Sequence, residues 1–174
     1  MTFPVRVHAI IFALLACNTV YYSVAGRFSE ALESVAWYVL LILFLLETAR
    51  ARYPLSPRAL IVIHGLRLLA TLAILASAVL YVREQEWLDA ANLFLWVAVV
   101  ALLEIEVRQP AAVAAHRKAY AVAAALLYAA LGVLIVIWLA RGEWMDAWDA
   151  TLWLAAFGAV ELDLLRAESA LNIV

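Results

Sequence analysis

Three tryptophans stand in the same relation to the polar residues around them. Glu33 and Trp37 are four residues apart, and Glu47 follows ten further on. Asn92, Trp96 and Glu106 repeat that spacing, as do Asp149, Trp153 and Asp163. At about 100° per residue, offsets of 4 and 14 fall within some 40° of one stripe of a helix. Each stripe therefore carries a polar group near one end, an indole in the middle and a carboxylate near the other. Glu104 and Glu161 add a second acid to the last two stripes. Acids held at a fixed depth favour cations over anions, and apolar constrictions gate by dewetting. The chemistry in prospect is the handling of cations or protons.

Two arrangements satisfy this spacing. In a pathway, Glu47, Glu106 and Asp163 form an inner acidic ring, Trp37, Trp96 and Trp153 a constriction, and Glu33, Asn92 and Asp149 an outer mouth. In a packing arrangement the tryptophans only fill a bundle. Glu47 then pairs with Arg50 and Asp163 with Arg166 at i,i+3 on the helix surface. Asn92 to Glu106 spans about 21 Å of rise, less than the roughly 30 Å of bilayer hydrocarbon. At least one polar end of each stripe should thus lie below the headgroups, which directs the stripes toward the bundle interior. Arg67 agrees with this. It lies nine residues beyond Arg58, inside an apolar run, and requires an anion or water; Glu47, Glu104 and Glu161 are the anions at comparable depth.

The elements that must position these groups are membrane helices. Of the 174 residues 69% are hydrophobic, and the mean hydropathy is +0.99. Soluble domains are about half apolar, so the chain falls in the membrane class. Six apolar spans are expected: Val7–Tyr22, Ser34–Thr48, Leu60–Val82, Ala90–Leu103, Ala119–Ala140 and Ala147–Val160. The third and fifth are long enough by themselves for the required length of about 20 residues. The even-numbered ones reach it by including their polar ends. The predicted fold is an all-α integral membrane domain covering residues 1–174.

The six spans group into three hairpins at about 1–54, 55–110 and 111–174. Trp87–Glu104 and Trp144–Glu161 share Trp, Asp, Ala, Leu, Trp, Ala and Glu at matching places, and Phe28 opens a third, more diverged copy. Helix breakers mark the longer connections, at Pro54, Pro57 and Pro110. Such copies imply a repeat architecture.

Eight basic residues flank one side of the spans and three, Arg27, Arg83 and Arg141, the other. The positive-inside rule then puts both termini in the cytoplasm of an inner-membrane protein. Trp87 and Trp144 suit an outer aromatic belt. The first span also fits a cleavable signal peptide, ending in Ser23-Val24-Ala25. Its removal would take away half of a hairpin.

Cys17 is the only cysteine, so no intrachain disulfide forms. His8, His64 and His116 lie near the starts of odd-numbered spans and are the weak metal candidates. Their spacings of 56 and 52 depart from the 57–59 repeat, so interfacial histidines are the plainer expectation. Facing haem ligands would lie deeper. No cofactor is expected. There is no Gly-rich phosphate loop and no Ser-His-acid grouping, so no enzyme is predicted. The acidic outer loops argue against nucleic acid. The expected partners are the lipid bilayer and either further copies of the chain or other membrane subunits.

The first hairpin, with Asn18 in FALLACNTVYY and then WYVLLILFLLETAR, resembles the first two helices of voltage-sensor modules in the cation-channel superfamily. Those often carry an Asn in the first helix and an aromatic-apolar run ending in Glu-x-x-Arg in the second, here Glu47 and Arg50. NLFLWVAVVALLEIEVR in the second hairpin has a similar pattern. The resemblance covers roughly 40 residues. No helix has Arg at every third position and there is no selectivity-filter loop, so it implies a relative that is not voltage-gated. Two functions from different classes follow: a small cation- or proton-handling membrane protein, or a non-catalytic auxiliary subunit that packs against a partner.

Overall fold

The computed structural model describes the backbone of residues 5–49 and 56–171, and the side chains of 9–46, 56–106 and 108–158. The described residues are helical, with no strand among them. The helices are α1 (Val5–Ala25), α2 (Phe28–Ala49), α3 (Pro57–Glu84), α4 (Trp87–Arg108), α5 (Pro110–Ala115), α6 (Arg117–Arg141) and α7 (Trp144–Leu171). Four contain stretches long and apolar enough to cross a membrane: Phe28–Leu46, Pro57–Glu84, Trp87–Glu106 and Arg117–Arg141. Ala9–Ala25 is a shorter apolar helix. The polar residues at the starts of α2 and α4 are helical, which brings each to 22 residues, or about 33 Å. That accounts for the apparent shortfall of these spans.

Three two-residue turns connect the helix pairs: Gly26-Arg27, Gln85-Glu86 and Gly142-Glu143. The last two close in the same way. Gln85 and Gly142 adopt the left-handed conformation, with φ of 62° and 78°. The Glu86 amide then bonds Tyr81 O at 2.9 Å, and the Glu143 amide bonds Trp138 O at 2.9 Å. Both are the six-to-one closure that satisfies terminal carbonyls. Gly26 is required for a different reason: a Cβ there would lie 2.7 Å from Tyr22 O and from Glu30 Oε2.

At the other ends the breakers act as expected, with one addition. Ser56 caps α3 by accepting from the Ala59 amide at 3.2 Å, with Pro57 in the first turn. Pro110, which has no N–H, interrupts the run from α4, but the chain re-forms a six-residue helix before His116 and α6. The connection predicted as a loop is therefore largely helical.

The chain forms two compact units, Leu15–Trp87 and Met1–Leu14 with Leu88–Val174. In the first, α2 packs along α3, whose buried face runs through Ile63, Ala70, Ile74, Ser77, Ala78 and Tyr81. Its small residues allow close approach, and helix association within a bilayer depends on such packing more than on the hydrophobic effect. In the second, Leu134, Trp138, Ala147 and Ala150 form a core of α6 and α7, covered by Leu88, Ala91 and Leu95 of α4.

Candidate functional site

The first unit holds the most developed polar site. Glu33 lies one and a half turns into α2 and is partly buried. Tyr81 of α3 donates its hydroxyl to Glu33 Oε2 at 2.6 Å, and Trp37, one turn on, donates its indole N–H to Oε1 at 3.2 Å. Each carboxylate oxygen thus meets a donor, and a bond to an ionised acceptor is shorter and about twice as strong as a neutral one. Near the turn, Ser29 of α2 is fully buried and donates to Glu84 Oε2 of α3 at 2.6 Å. Arg27, in the α1–α2 turn, pairs with both Glu30 and Glu86. On the α1 side, Ser34 donates to Thr19 at 3.2 Å. Asn18 is buried on α1, on the same face as Leu15 and Tyr22.

The corresponding stripe positions in the second unit differ. The Oδ1 of Asn92 is buried and has no hydrogen-bond partner. Trp96 is 4% exposed. Its ring lies 6.5 Å from that of Trp153 and 4.9 Å from Phe157, and Trp153 and Phe157 are 6.3 Å apart. Two of the three indoles expected to form a constriction are therefore packed together, with a phenylalanine that the spacing did not single out. Trp37 belongs to the other unit and is engaged by its own acid. Asp149 is partly buried on α7.

Toward the far end of α4 the stripe emerges from the packing. Glu104 is exposed and bonded to Arg108 at 2.5 Å. Glu106 is also exposed and accepts from Tyr120 of α6 at 3.0 Å; the same hydroxyl lies 2.7 Å from Leu102 O. These two residues edge a shallow crevice between α4 and α6, walled by Val99, Leu103, Ala124 and Leu127. The physical reason is local. The i,i+4 pair to Arg108 draws Glu104 to the helix surface, and the Tyr120 hydroxyl holds Glu106 at the crevice mouth. The side chains of Glu47, Glu161 and Asp163 lie outside the described residues, so the expected inner ring is represented by Glu106 alone.

Arg67 is partly buried on α3, and Thr71 donates to its carbonyl at 2.9 Å. His64 is exposed, with Nδ1 2.6 Å from Leu60 O; His116 is exposed between α5 and α6; His8 lies outside the described side chains. Among the described residues no group of three His, Cys, Asp or Glu is placed to hold a metal. Phe28, Trp87 and Trp144 are all largely exposed at the starts of their helices, as an aromatic belt requires.

Sequence reasoning missed Tyr81, Ser29 and Tyr120, which are the donors to the acids. One signal was present. Tyr22, Tyr81 and Trp138 each stand six residues before Phe28, Trp87 and Trp144, and all three are buried. Extending the copies backward by two turns would have found Tyr81; no such signal marks Ser29 or Tyr120. No family model matches the chain, and neither a curated protein nor a solved structure is similar to it.

Proposed function

We propose that this is a small polytopic inner-membrane protein of six spans, both termini cytoplasmic, that handles protons or cations through the polar stripes of α2, α4 and α7. What carries this reading is Glu33. An ionisable carboxylate, part-buried in the apolar stretch Phe28–Leu46, is held by a Tyr hydroxyl and a Trp N–H. Intramembrane acids are costly, and by default they mark ion or proton routes. The buried, unpartnered Asn92 Oδ1 supports it from a second helix, since such an oxygen calls for water or a cation. The three-hairpin repeat is supported by the three two-residue turns and the buried aromatic six residues before each following helix. The voltage-sensor resemblance, which rests on the sequence around Asn18 and Glu47 alone, belongs to this reading.

Proton and monovalent-cation flux into liposomes tests the proposal. Glu33→Gln is expected to cut flux at least tenfold with the helix content unchanged. The triple neutralisation of Glu47, Glu106 and Asp163 is expected to abolish it. Flux at the level of empty liposomes in the unaltered protein would end the pathway reading.

A second reading, a non-catalytic subunit of a larger membrane complex, is favoured by the Trp96, Trp153 and Phe157 rings, which pack on one another as in a core. Purification in mild detergent with a stoichiometric partner would support it, and a lone monomer would count against it.

A further inference from the structure

We propose that the α2–α3 end of the first unit is a proton-released clasp. Three links join the start of α2 and its preceding turn to the end of α3 and its following turn. They are Tyr81 to Glu33, Ser29 to Glu84, and Arg27 to Glu86. In each, one partner is a carboxylate and the other a hydroxyl or guanidinium. The links are long-range in sequence, at 48 and 55 residues for the two hydroxyl bonds, so they hold helix against helix and not turn against turn. Protonation removes the ion pair outright and turns the two hydroxyl bonds from charge-assisted into neutral ones, roughly halving their strength.

The surroundings leave the clasp dependent on these acids. At the turn end the charged groups are Arg27, Glu30 and Glu33 on the α2 side and Arg83, Glu84 and Glu86 on the α3 side; Glu47 of α2 and Arg58, His64 and Arg67 of α3 lie further along their helices. Between Ala9 and Ala25, α1 brings no charged side chain, only the titratable Cys17, Tyr21 and Tyr22. Four acids thus share two arginines, and Arg27 already serves two of them. Away from the turn the packing between α2 and α3 runs through Ala36, Leu43, Ile63, Ala70, Ile74 and Ala78, while at the turn end the buried groups are Ser29 and Tyr81, themselves the hydroxyl partners of the links. Losing the links therefore frees the turn end while the rest of the helix pair stays packed. Acid shifts the population toward that open end, which needs no transported ion. The clasp stands independently of the pathway reading.

The test is NMR on the full chain in nanodiscs, from about pH 7 to about pH 3, which brackets the ordinary carboxylate range. The Trp37 indole N–H reports on Glu33 directly. The Glu86 amide, bonded to Tyr81 O, reports on the turn, and the Glu143 amide, bonded to Trp138 O, is the internal reference. After correction for intrinsic exchange, protection at Glu86 is expected to fall about tenfold on acidification, as for one weakened charge-assisted bond. It should follow the Trp37 shift, and Glu143 should lose less. Glu33→Gln should show lowered Glu86 protection already at neutral pH. Should that variant not fold, Tyr81→Phe must lower Glu86 protection at neutral pH while the Trp37 shift still titrates. Equal losses at Glu86 and Glu143, or variants with unaltered Glu86 protection, would overturn the clasp.

Discussion

Tyr81 and Trp138 occupy matching places and do opposite things. Each is a buried aromatic six residues before an exposed Trp, and each accepts the closing amide of a two-residue turn through its backbone carbonyl. Tyr81 carries its hydroxyl to the Glu33 carboxylate at 2.6 Å. Trp138 sits in an apolar core with Leu134, Ala147 and Ala150. The frame around the turn is set by helix-end geometry, which is indifferent to what the aromatic ring carries. Whether that end of a unit is polar or greasy is decided by one oxygen atom and the residue facing it. The same holds one turn away, where Glu33 is doubly hydrogen-bonded and Asn92 has a buried oxygen with no partner.

The comparison breaks most visibly at Trp138. Trp138→Ala should destabilise by about 3 kcal/mol, because a large buried ring leaves a cavity that helices cannot readily close. Reversible unfolding in mixed micelles, or thermal loss of the near-UV signal, reads this. The hydrophobic transfer part is muted in lipid, so the loss is one of packing. Tyr81→Phe should cost less, about 1.5 kcal/mol, since the ring remains and only a charge-assisted hydrogen bond goes. A loss as large as that of Trp138→Ala would mean that the hydroxyl bond to Glu33 counts for as much as a whole buried ring.

Asn92→Leu sharpens the contrast further. On the pathway reading the Asn92 oxygen takes a water or cation, so its removal should cost about 1 kcal/mol, whereas in a subunit that only packs it should be neutral or stabilising by a similar amount. A marked loss of stability on the same unfolding assay would show that Asn92 holds a water or ion. The smallest effect belongs to Glu104→Gln. Its pair with Arg108 is exposed on both sides. Such pairs contribute under about 0.5 kcal/mol and weaken with salt, so the midpoint should barely move at any ionic strength.

Much of this was legible in the residues. The apolar runs and the breakers at Pro57 and Pro110 are local, and local backbone chemistry writes them. The copies around Trp37, Trp96 and Trp153 were legible for the same reason: they are spacings along one helix. Their surroundings were not. Trp96 and Trp153 meet each other and Phe157, while Trp37 bonds its own acid. Nor was it legible that Tyr120 of α6 would meet Glu106 of α4. A stripe tells which residues share a side of one helix; it does not tell what lies opposite.

By itself, the order of residues determined that the chain is helical and that several helices can cross a bilayer. Hydrogen bonds within a helix and the exclusion of bare peptide groups from lipid depend on neighbours a few positions away. Only the tertiary structure decided that Glu33 is answered from α3 by Tyr81, that Ser29 reaches Glu84, and that Asn92 Oδ1 is not answered at all. Those pairings join residues some fifty positions apart. Which side chains meet at that separation depends on how helix surfaces interlock, a property of two helices together that neither carries alone.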